Sequence, residues 1–302
     1  MNKKNAKHQI LFLTIIFALA WALSLYPFVS NAYNYHVQQT MIVLYEGTVE
    51  SANEDIYEEA IEAAQAWNEE LYTYISPSYF PEELEDGEIY ESLLNLSENG
   101  MMGYISIPKI DVSLPIYHYA TEEVLLKGAG HLSSSALPVG GESTHCVITA
   151  HRGLPNAMMF TDLDQLEIGD EFYLKVLGET LAYKVIRIET VDPDETQSLQ
   201  MEDGKDLCTL VTCTPYGINT QRLLVTGERT EYIEGSDGTD NNTIFKALKA
   251  YWYAVILFFI ELILYILLIR MIKKNTRGNN PDKRGRIQKT LKKINPDIIK
   301  SN

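Results

Sequence analysis

Two long apolar segments constrain this 302-residue chain more than any other feature of its sequence. The first, Ile10–Ser30 (ILFLTIIFALAWALSLYPFVS), carries no charge, and the second, Tyr251–Ile269 (YWYAVILFFIELILYILLI), carries only Glu261. Each is long enough to cross the hydrocarbon core of a bilayer, about 30 Å thick, as a single helix. The sequence therefore predicts two transmembrane helices with a domain between them.

The charge distribution predicts which side of the membrane that domain occupies. Lys3, Lys4 and Lys7 precede the first segment, and residues 270–302 contain 11 Lys and Arg residues. By the positive-inside rule, both chain ends are cytoplasmic and the middle of the chain is outside. Residues 31–249 contain 11 Lys and Arg against 38 Asp and Glu, a net charge of −27. A domain this acidic repels phosphate, which argues against a nucleic-acid partner.

The first apolar segment also fits a cleaved signal peptide, with Ser30 and Ala32 as the small residues at the cleavage site. Either alternative exports the domain that follows. Changes of composition along the chain predict six regions. They are the N-terminus with the first span (1–30), a helical region (31–99), a β-rich domain (100–235), a linker (236–250), the second span (251–269) and a basic cytoplasmic tail (270–302).

The pattern of the exported part changes from helical to strand-like near Gly103. Before it, residues 53–74 have apolar side chains at helical spacing and acidic side chains on the opposite face, which predicts an amphipathic helix. A short second helix is predicted at Tyr90–Leu96. After it, short β-rich runs are separated by turn residues. The predicted strands are Tyr104–Ile107, Val112–Tyr117, Thr144–Ala150, Glu171–Val176, Leu181–Val191, Leu207–Cys213 and Arg222–Thr230, with a brief helix around Asn156–Gln165. Seven or eight such strands predict a mostly antiparallel barrel or sandwich.

Three cysteines in an exported domain are too few for a disulfide framework, and their odd number leaves at least one free thiol. Cys213 ends a predicted strand directly before Thr214-Pro215, where the proline stops ladder pairing. Side chains alternate along a strand, so Cys208 faces the opposite way. Cys208 and Cys146 lie mid-strand, where cysteine usually behaves as a small core hydrophobe. Cys213 is therefore the candidate nucleophile, and an inert buried thiol is the alternative.

A cysteine nucleophile needs a base or a cation nearby, because the thiolate is the reactive form. His151 closes the predicted strand Thr144–Ala150, and two strand ends on one barrel rim can meet. Arg222 begins the strand after the 215–220 turn, which returns the chain towards Cys213 if the two strands form a hairpin. The planar set of donors on an arginine suits a developing oxyanion, and a surface salt bridge is the alternative role.

The segment Thr209–Val225 (TLVTCTPYGINTQRLLV) closely resembles the signature around the catalytic cysteine and arginine of class C, pilus-building sortases. Thr149–Pro155 (TAHRGLP), followed by Phe160–Asp164 (FTDLD), is similar to the histidine segment of that family. A signature of about seventeen residues is far more specific than a three-residue motif. Two further similar stretches are Gly103–Ile110 (GYISIPKI) and Gly128–Gly141 (GAGHLSSSALPVGG).

The resemblance implies a mostly β fold, an eight-stranded sortase-type barrel with an N-terminal helical or lid extension, flanked by the two transmembrane helices. It implies a cysteine transpeptidase that cuts a Leu-Pro-X-Thr-Gly-like sorting signal between threonine and glycine, outside a Gram-positive membrane. Cys213 would attack, His151 would transfer protons and Arg222 would steady the oxyanion. The thioester would pass to a pilin lysine, building covalent pili, without a metal or organic cofactor.

The sequence departs from the family pattern at two places. Gln221 stands where histidine often precedes the arginine. Class C sortases commonly carry a lid with an Asp-Pro-aromatic motif, and the nearest match, within the candidate lid 76–87, is Ser76–Phe80 (SPSYF), which lacks the aspartate. The lid and substrate-groove candidates are Pro77, Tyr79, Phe80 and Thr212.

Two other functions fit the same residues. A housekeeping sortase would use the same three side chains but transfer its substrate to a cell-wall peptide amine. A membrane-tethered scaffold would bind pilin sorting signals without cutting them. The presence of all three catalytic residue types in matching motifs argues against the scaffold, and the acceptor amine separates the two enzymes.

Overall fold

Helices occupy the two ends of the chain and strands its centre. The computed structural model describes residues 3–74, 87–237, 243–278 and 289–290. Contacts divide the chain into two units, one of residues 1–28 with 247–302 and the other of residues 29–246. The helices are α1 (Lys3–Ser51), α2 (Glu54–Tyr74), α3 (Gly87–Ser92), α4 (Glu122–Leu125) and α5 (Thr243–Gly278).

The first unit contains the N-terminal part of α1 and nearly all of α5. The Thr14 hydroxyl lies 2.8 Å from the Tyr265 hydroxyl, and the rings of Phe17 and Tyr265 stack with their centroids 4.6 Å apart. Two helical stretches, Lys7–Ser51 and Val255–Lys274, are long and apolar enough to cross a membrane by length and composition. Candidate membrane-spanning helices therefore lie on both sides of the β-rich part of the sequence.

The β-rich part folds into one closed barrel. Its strands are β1 (Met101–Ile107), β2 (Val112–His118), β3 (Ala129–His131), β4 (Thr144–Thr149), β5 (Glu171–Val176), β6 (Glu179–Val191), β7 (Asp206–Thr214) and β8 (Gln221–Thr230). Around the barrel they are ordered β1-β2-β3-β4-β7-β8-β6-β5. The predicted fold class, an eight-stranded β-barrel with apolar helices at both ends, is confirmed.

Most neighbouring strands pair antiparallel, as predicted, but β2–β3 and β4–β7 pair parallel. The β5–β6 hairpin turns through Leu177 and Gly178, whose φ angles of 48° and 84° match the tight two-residue turn that suits the twist of a hairpin. In the parallel pair, Thr144 lies beside Asp206 and Thr149 beside Val211. Because the two strands run the same way, their C-terminal ends lie at the same edge of the barrel.

The C-terminal half of α1 and helix α2 pack on the barrel through buried polar contacts. The Tyr45 hydroxyl donates to the carbonyl of Met102 and accepts from the backbone N–H of Leu177, both at 2.9 Å. The side-chain amide of Asn68 donates to the carbonyl of Leu137 at 3.1 Å and accepts from its N–H at 2.7 Å. Since buried polar groups need such partners, these pairs fix where each helix sits on the barrel.

Two local predictions were wrong in detail. The helix predicted around Asn156–Gln165 is a series of turns that ends in a 3₁₀ turn, Leu163–Gln165. The short helix predicted at Tyr90–Leu96 is α3, three to four residues earlier. Apart from Gly87, the candidate lid 76–87 lies outside the described residues.

Candidate active site

Cys213 is the second-to-last residue of β7, next to the turn that connects β7 to β8. The strand ends at Thr214, and the next residue is Pro215, which has no N–H to continue the ladder. Cys213 is partly exposed, whereas Cys146 and Cys208 are buried. Among the three thiols, only that of Cys213 is accessible to a substrate without opening the barrel.

Arg222 is the direct cross-strand partner of Cys213. In the antiparallel β7–β8 pair, Cys213 lies opposite Arg222 and Thr214 opposite Gln221. Residues paired in this way have Cβ atoms about 5 Å apart, so the side chains start from adjacent positions. The Arg222 guanidinium donates from Nη1 to the carbonyls of Gln221 at 3.2 Å and Asn219 at 3.5 Å. Among the residues that the structure describes, no carboxylate forms an ion pair with it.

His151 follows β4, the parallel neighbour of β7. The last ladder pair is Thr149 with Val211, and the N–H of Ala150 donates to the carbonyl of Val211 at 3.2 Å. The two segments stay adjacent beyond the ladder, because the Thr212 hydroxyl donates to the carbonyl of Ala150 at 2.8 Å. The same register, continued to the next residue on each segment, puts His151 next to Cys213. The structure thus brings all three predicted residues to one edge of the barrel.

Side-chain alternation also gives the three residues a common face. Residues of the other parity on β4 and β7, such as Ile148 and Leu210, belong to the barrel core. Those with the parity of His151, Cys213 and Arg222 face the outside of the wall. A small apolar cluster lies on that outer face. It consists of Val147, Leu199 and Leu224, with Leu132, Val191 and Val211 packed against them. Thiol, imidazole and guanidinium therefore lie on the same side of the barrel wall as this cluster, whose central residues are buried beneath the rest of the chain.

Residues 105–230, which include this edge, match the sortase domain family. The fold is similar to the crystal structure of sortase C1 from Streptococcus agalactiae, with 44% sequence identity and a TM-score of 0.61. The similarity covers 64% of this chain and 100% of that one. The chain belongs to the sortase family.

Other sortases extend the comparison. Streptococcus pneumoniae sortase C is 42% identical with a TM-score of 0.57, over 64% of this chain and 97% of that one. Sortase A of Bacillus anthracis is 30% identical over 134 residues, 44% of this chain and 62% of that protein. The chain thus spans less than two thirds of the length of this curated relative. The predicted resemblance to class C sortases is confirmed, and so is the enzyme class, cysteine transpeptidase, at the level of the family.

The two other thiols of this sortase are parts of the barrel core. Cys146 and Cys208 are register partners on β4 and β7, with 2% and 0% of their surface exposed. Burial raises the pKa of the Cys208 thiol well above its ordinary value, which keeps that thiol protonated and unreactive. Mid-strand placement read from the sequence is consistent with this difference from Cys213.

A carboxylate near His151 escaped the sequence analysis. Glu122, the first residue of α4, places Oε2 3.5 Å from Nε2 of His151, at ion-pair distance but without hydrogen-bond geometry. The Nε2 atom is buried and makes no hydrogen bond among the described residues. Glu122 precedes His151 by 29 positions, on a helix of only four residues, so no spacing rule pointed to it.

The remaining predicted site residues have different outcomes. Thr212 is buried, and its hydroxyl donates to the carbonyl of Ala150 at 2.8 Å. A place for Thr212 in the substrate groove stays a prediction, while the observed contact links β7 to the end of β4. Pro77, Tyr79 and Phe80 lie outside the described residues. Within the described ranges, no three His, Cys, Asp or Glu side chains come together as metal ligands.

His145, the second residue of β4, has a structural environment. Its Nδ1 lies 2.8 Å from the carbonyl of Gln200 and its Nε2 2.7 Å from Oγ1 of Thr209, whose hydroxyl contacts that of Thr226. Burial lowers the pKa of His145 to about 4. A neutral imidazole that donates from Nδ1 to the Gln200 carbonyl and accepts at Nε2 from the Thr209 hydroxyl satisfies this network, so His145 is a structural rather than a catalytic histidine.

Proposed function

We propose that this chain is a membrane-anchored class C sortase that joins pilin subunits covalently. Its substrate is a pilin with a Leu-Pro-X-Thr-Gly-like sorting signal, which is cut between threonine and glycine. The acceptor is a lysine amine of another pilin subunit. The observation that carries this proposal is the meeting of His151, Cys213 and Arg222 at one barrel edge, on one face, in a chain 44% identical to a sortase C.

In the first half-reaction, the Cys213 thiolate attacks the threonine carbonyl carbon. Arg222 donates to the oxyanion that develops on the carbonyl oxygen. When the tetrahedral intermediate collapses, the C–N bond breaks, the glycine amine leaves with a proton from His151, and the threonine acyl group remains as a thioester on the cysteine.

In the second half-reaction, a lysine amine replaces the glycine amine. His151, now neutral, accepts a proton from the incoming amine as its nitrogen attacks the thioester carbonyl. The C–S bond breaks, Cys213 leaves as thiolate, and an isopeptide bond joins the two subunits. One peptide bond is exchanged for one amide bond, so no external oxidant, metal or cofactor enters the balance.

The comparisons favour the pilin acceptor over the cell-wall acceptor. The sortase C structures from Streptococcus agalactiae and Streptococcus pneumoniae described above are 44% and 42% identical to this chain, whereas Bacillus anthracis sortase A is 30% identical over a shorter stretch. Streptococcus pneumoniae sortase C is described in terms of pilin substrate specificity. These differences support class C chemistry for this chain.

We also propose the location and the region boundaries that the sequence predicts. The catalytic domain, residues 100–235, lies outside the cell membrane, preceded by the helical region 31–99. The spans within 1–30 and at 251–269 anchor it, the linker 236–250 connects it to the second span, and the tail 270–302 is cytoplasmic. Support comes from the two helical stretches apolar enough to cross a membrane and from the basic residues beyond them.

Acceptor competition tests this proposal. The detergent-solubilised chain is incubated with a fluorescent sorting-signal peptide and equal concentrations of a pilin domain and a cell-wall pentaglycine or stem peptide, and the products are identified by mass spectrometry. We expect the peptide on a pilin lysine. Transfer to the wall peptide alone would instead identify a housekeeping sortase, and binding of the peptide without cleavage would identify a scaffold.

A further inference from the structure

Two side-chain contacts join β4 and β7 beyond the point where their ladder ends. The first is the hydrogen bond from the Thr212 hydroxyl to the carbonyl of Ala150, at 2.8 Å. The second is from Nη1 of Arg152 to Oγ1 of Thr214, at 3.1 Å. Ala150 precedes His151 and Arg152 follows it, while Thr212 and Thr214 flank Cys213 in the same way. The His151–Cys213 pair therefore lies between two contacts that hold the strand ends together.

Arg152 is held more firmly than a surface arginine. Its Nε donates to the carbonyl of Thr161 at 3.1 Å, and its Nη2 forms an ion pair with the Asp164 carboxylate. Only 7% of its side chain is exposed. The guanidinium thus contacts Thr161, Asp164 and Thr214 at once, and so connects the loop after His151 to the residue after Cys213.

Backbone hydrogen bonds also hold the loop after His151 against residues 160–161. The N–H of Phe160 donates to the carbonyl of His151 at 3.0 Å, and the N–H of Gly153 donates to Oγ1 of Thr161 at 3.2 Å. Gly153 has a φ of 77°, and a Cβ there would lie 3.1 Å from the ring of Tyr216 in the turn after Cys213. The two loops that follow the catalytic residues are therefore in close contact.

We propose that Arg152 is a positioning residue that sets the spacing between His151 and Cys213, with Thr214 as its partner on β7. This inference rests on the proposed function. Proton transfer and acyl transfer need reacting atoms about 3–3.5 Å apart, and a misplacement of about 1 Å can cost about a hundredfold in rate. Lysine cannot replace Arg152, because a single ammonium lacks the planar fork that reaches Thr161, Asp164 and Thr214 at once.

The test separates this hydrogen bond from the stability of the fold. In the detergent-solubilised full chain, Thr214→Val removes the Oγ1 acceptor at nearly constant shape, Thr214→Ser retains it, and Arg152→Lys removes the fork. Arg229→Lys is the matched control, because Arg229 pairs with Asp206 at the opposite end of β7 and β8. For each variant, the rate and KM of thioester formation with a sorting-signal peptide are measured, together with the thermal midpoint and the rate of Cys213 alkylation by iodoacetamide.

We expect Thr214→Val to slow thioester formation at saturating peptide about tenfold or more, with KM within about twofold of the native chain. Arg152→Lys should lose at least as much, and Thr214→Ser should recover most of the rate. Alkylation of Cys213 should also slow in Thr214→Val and Arg152→Lys, because the imidazole no longer lies beside the thiol. Arg229→Lys should change neither rate.

Native-like thioester formation by Thr214→Val and Arg152→Lys would overturn the positioning role, as would a Thr214→Ser chain as slow as Thr214→Val. If Arg152→Lys fails to fold, the comparison of Thr214→Val with Thr214→Ser tests the positioning role. A native chain that forms no thioester contradicts the proposed function alone. The alkylation rates then decide the positioning role, which fails if they are equal in all variants.

Discussion

At the scale of single residues, the proposed role of Arg222 depends on the planar shape of its guanidinium group. It lies opposite Cys213 in the β7–β8 pair, and its Nη1 already donates to the turn carbonyls of Gln221 and Asn219. A lysine keeps the charge but has one nitrogen for both the turn and the oxyanion. We expect Arg222→Lys to lower kcat for peptide cleavage by about 10²–10³, the usual cost of losing an oxyanion donor. Near-normal turnover would show that Arg222 contributes charge alone or nothing.

Glu122 allows a comparison between neighbouring carboxylates. Glu122 lies 3.5 Å from His151, whereas Glu123 pairs with Lys127, and both side chains are largely exposed. Exposed ion pairs contribute at most about 1 kcal/mol, so we expect Glu122→Gln to lower kcat/KM by less than about fivefold. Glu123→Gln makes the same charge change one residue away and should have no effect. Equal kcat/KM values for the two variants would remove Glu122 from the site.

Strand ends were enough to predict where each of the three main site residues lies along its own strand. Cys213 is next to the last residue of β7, Arg222 is the second residue of β8, and His151 follows the end of β4 by two residues. Glu122 and the Arg152–Thr214 contact were not predicted, because they join segments 29 and 62 positions apart in the sequence. Alternation within one strand gives a side chain's face but not its partner on another segment.

At the scale of elements, the strand positions were predicted better than the strand pairing. Seven strands were predicted within about three residues of their ends, but β3 has only three residues and carries no recognisable alternation. The parallel β4–β7 pair joins strands separated by β5 and β6 in the sequence. Local composition does not encode such a crossover. The meeting of His151 with Cys213 therefore needed the three-dimensional structure.

His145, in the β4–β7 pair, also makes the stability of the barrel depend on pH. The pKa of His145 is about 4 in the folded chain and about 6.5 in an unfolded one. Between these values the unfolded state binds more protons, so stability falls as pH decreases from about 6.5 to about 4 and is unaffected by His145 outside this window. Burial lowers the pKa of His118 in the same direction. From pH 7 to pH 5, His145 should account for a loss of about 2 kcal/mol.

Urea unfolding of the detergent-solubilised chain at pH 7 and pH 5 measures this loss. His145→Gln removes the titrating group, so the variant should lose less stability than the native chain between the two pH values, whatever its absolute stability. Carboxylates such as Glu202, whose pKa is lowered by Lys205, lose their contribution at lower pH and do not interfere. An equal loss in both chains would contradict the assignment.

At the scale of the whole molecule, the proposed topology makes Cys213 a reporter of the outside. Cys146 and Cys208 are buried and Cys213 is partly exposed. A membrane-impermeant maleimide should therefore label the chain in intact cells, and the Cys213→Ala chain should stay unlabelled. Labelling that requires permeabilised cells would place the barrel in the cytoplasm and contradict the proposed orientation.

The most direct measurement of the central claim is intact-protein mass spectrometry of the full chain after incubation with a Leu-Pro-X-Thr-Gly peptide. We predict a mass increase equal to the mass of the peptide fragment ending at threonine minus one water, as for a thioester. Hydroxylamine should remove this adduct. The Cys208→Ala chain should form the same adduct, because Cys208 lies in the barrel core. The Cys213→Ala chain should form none. An adduct that persists in Cys213→Ala, or none in the native chain, would contradict Cys213 as the nucleophile of a sortase reaction.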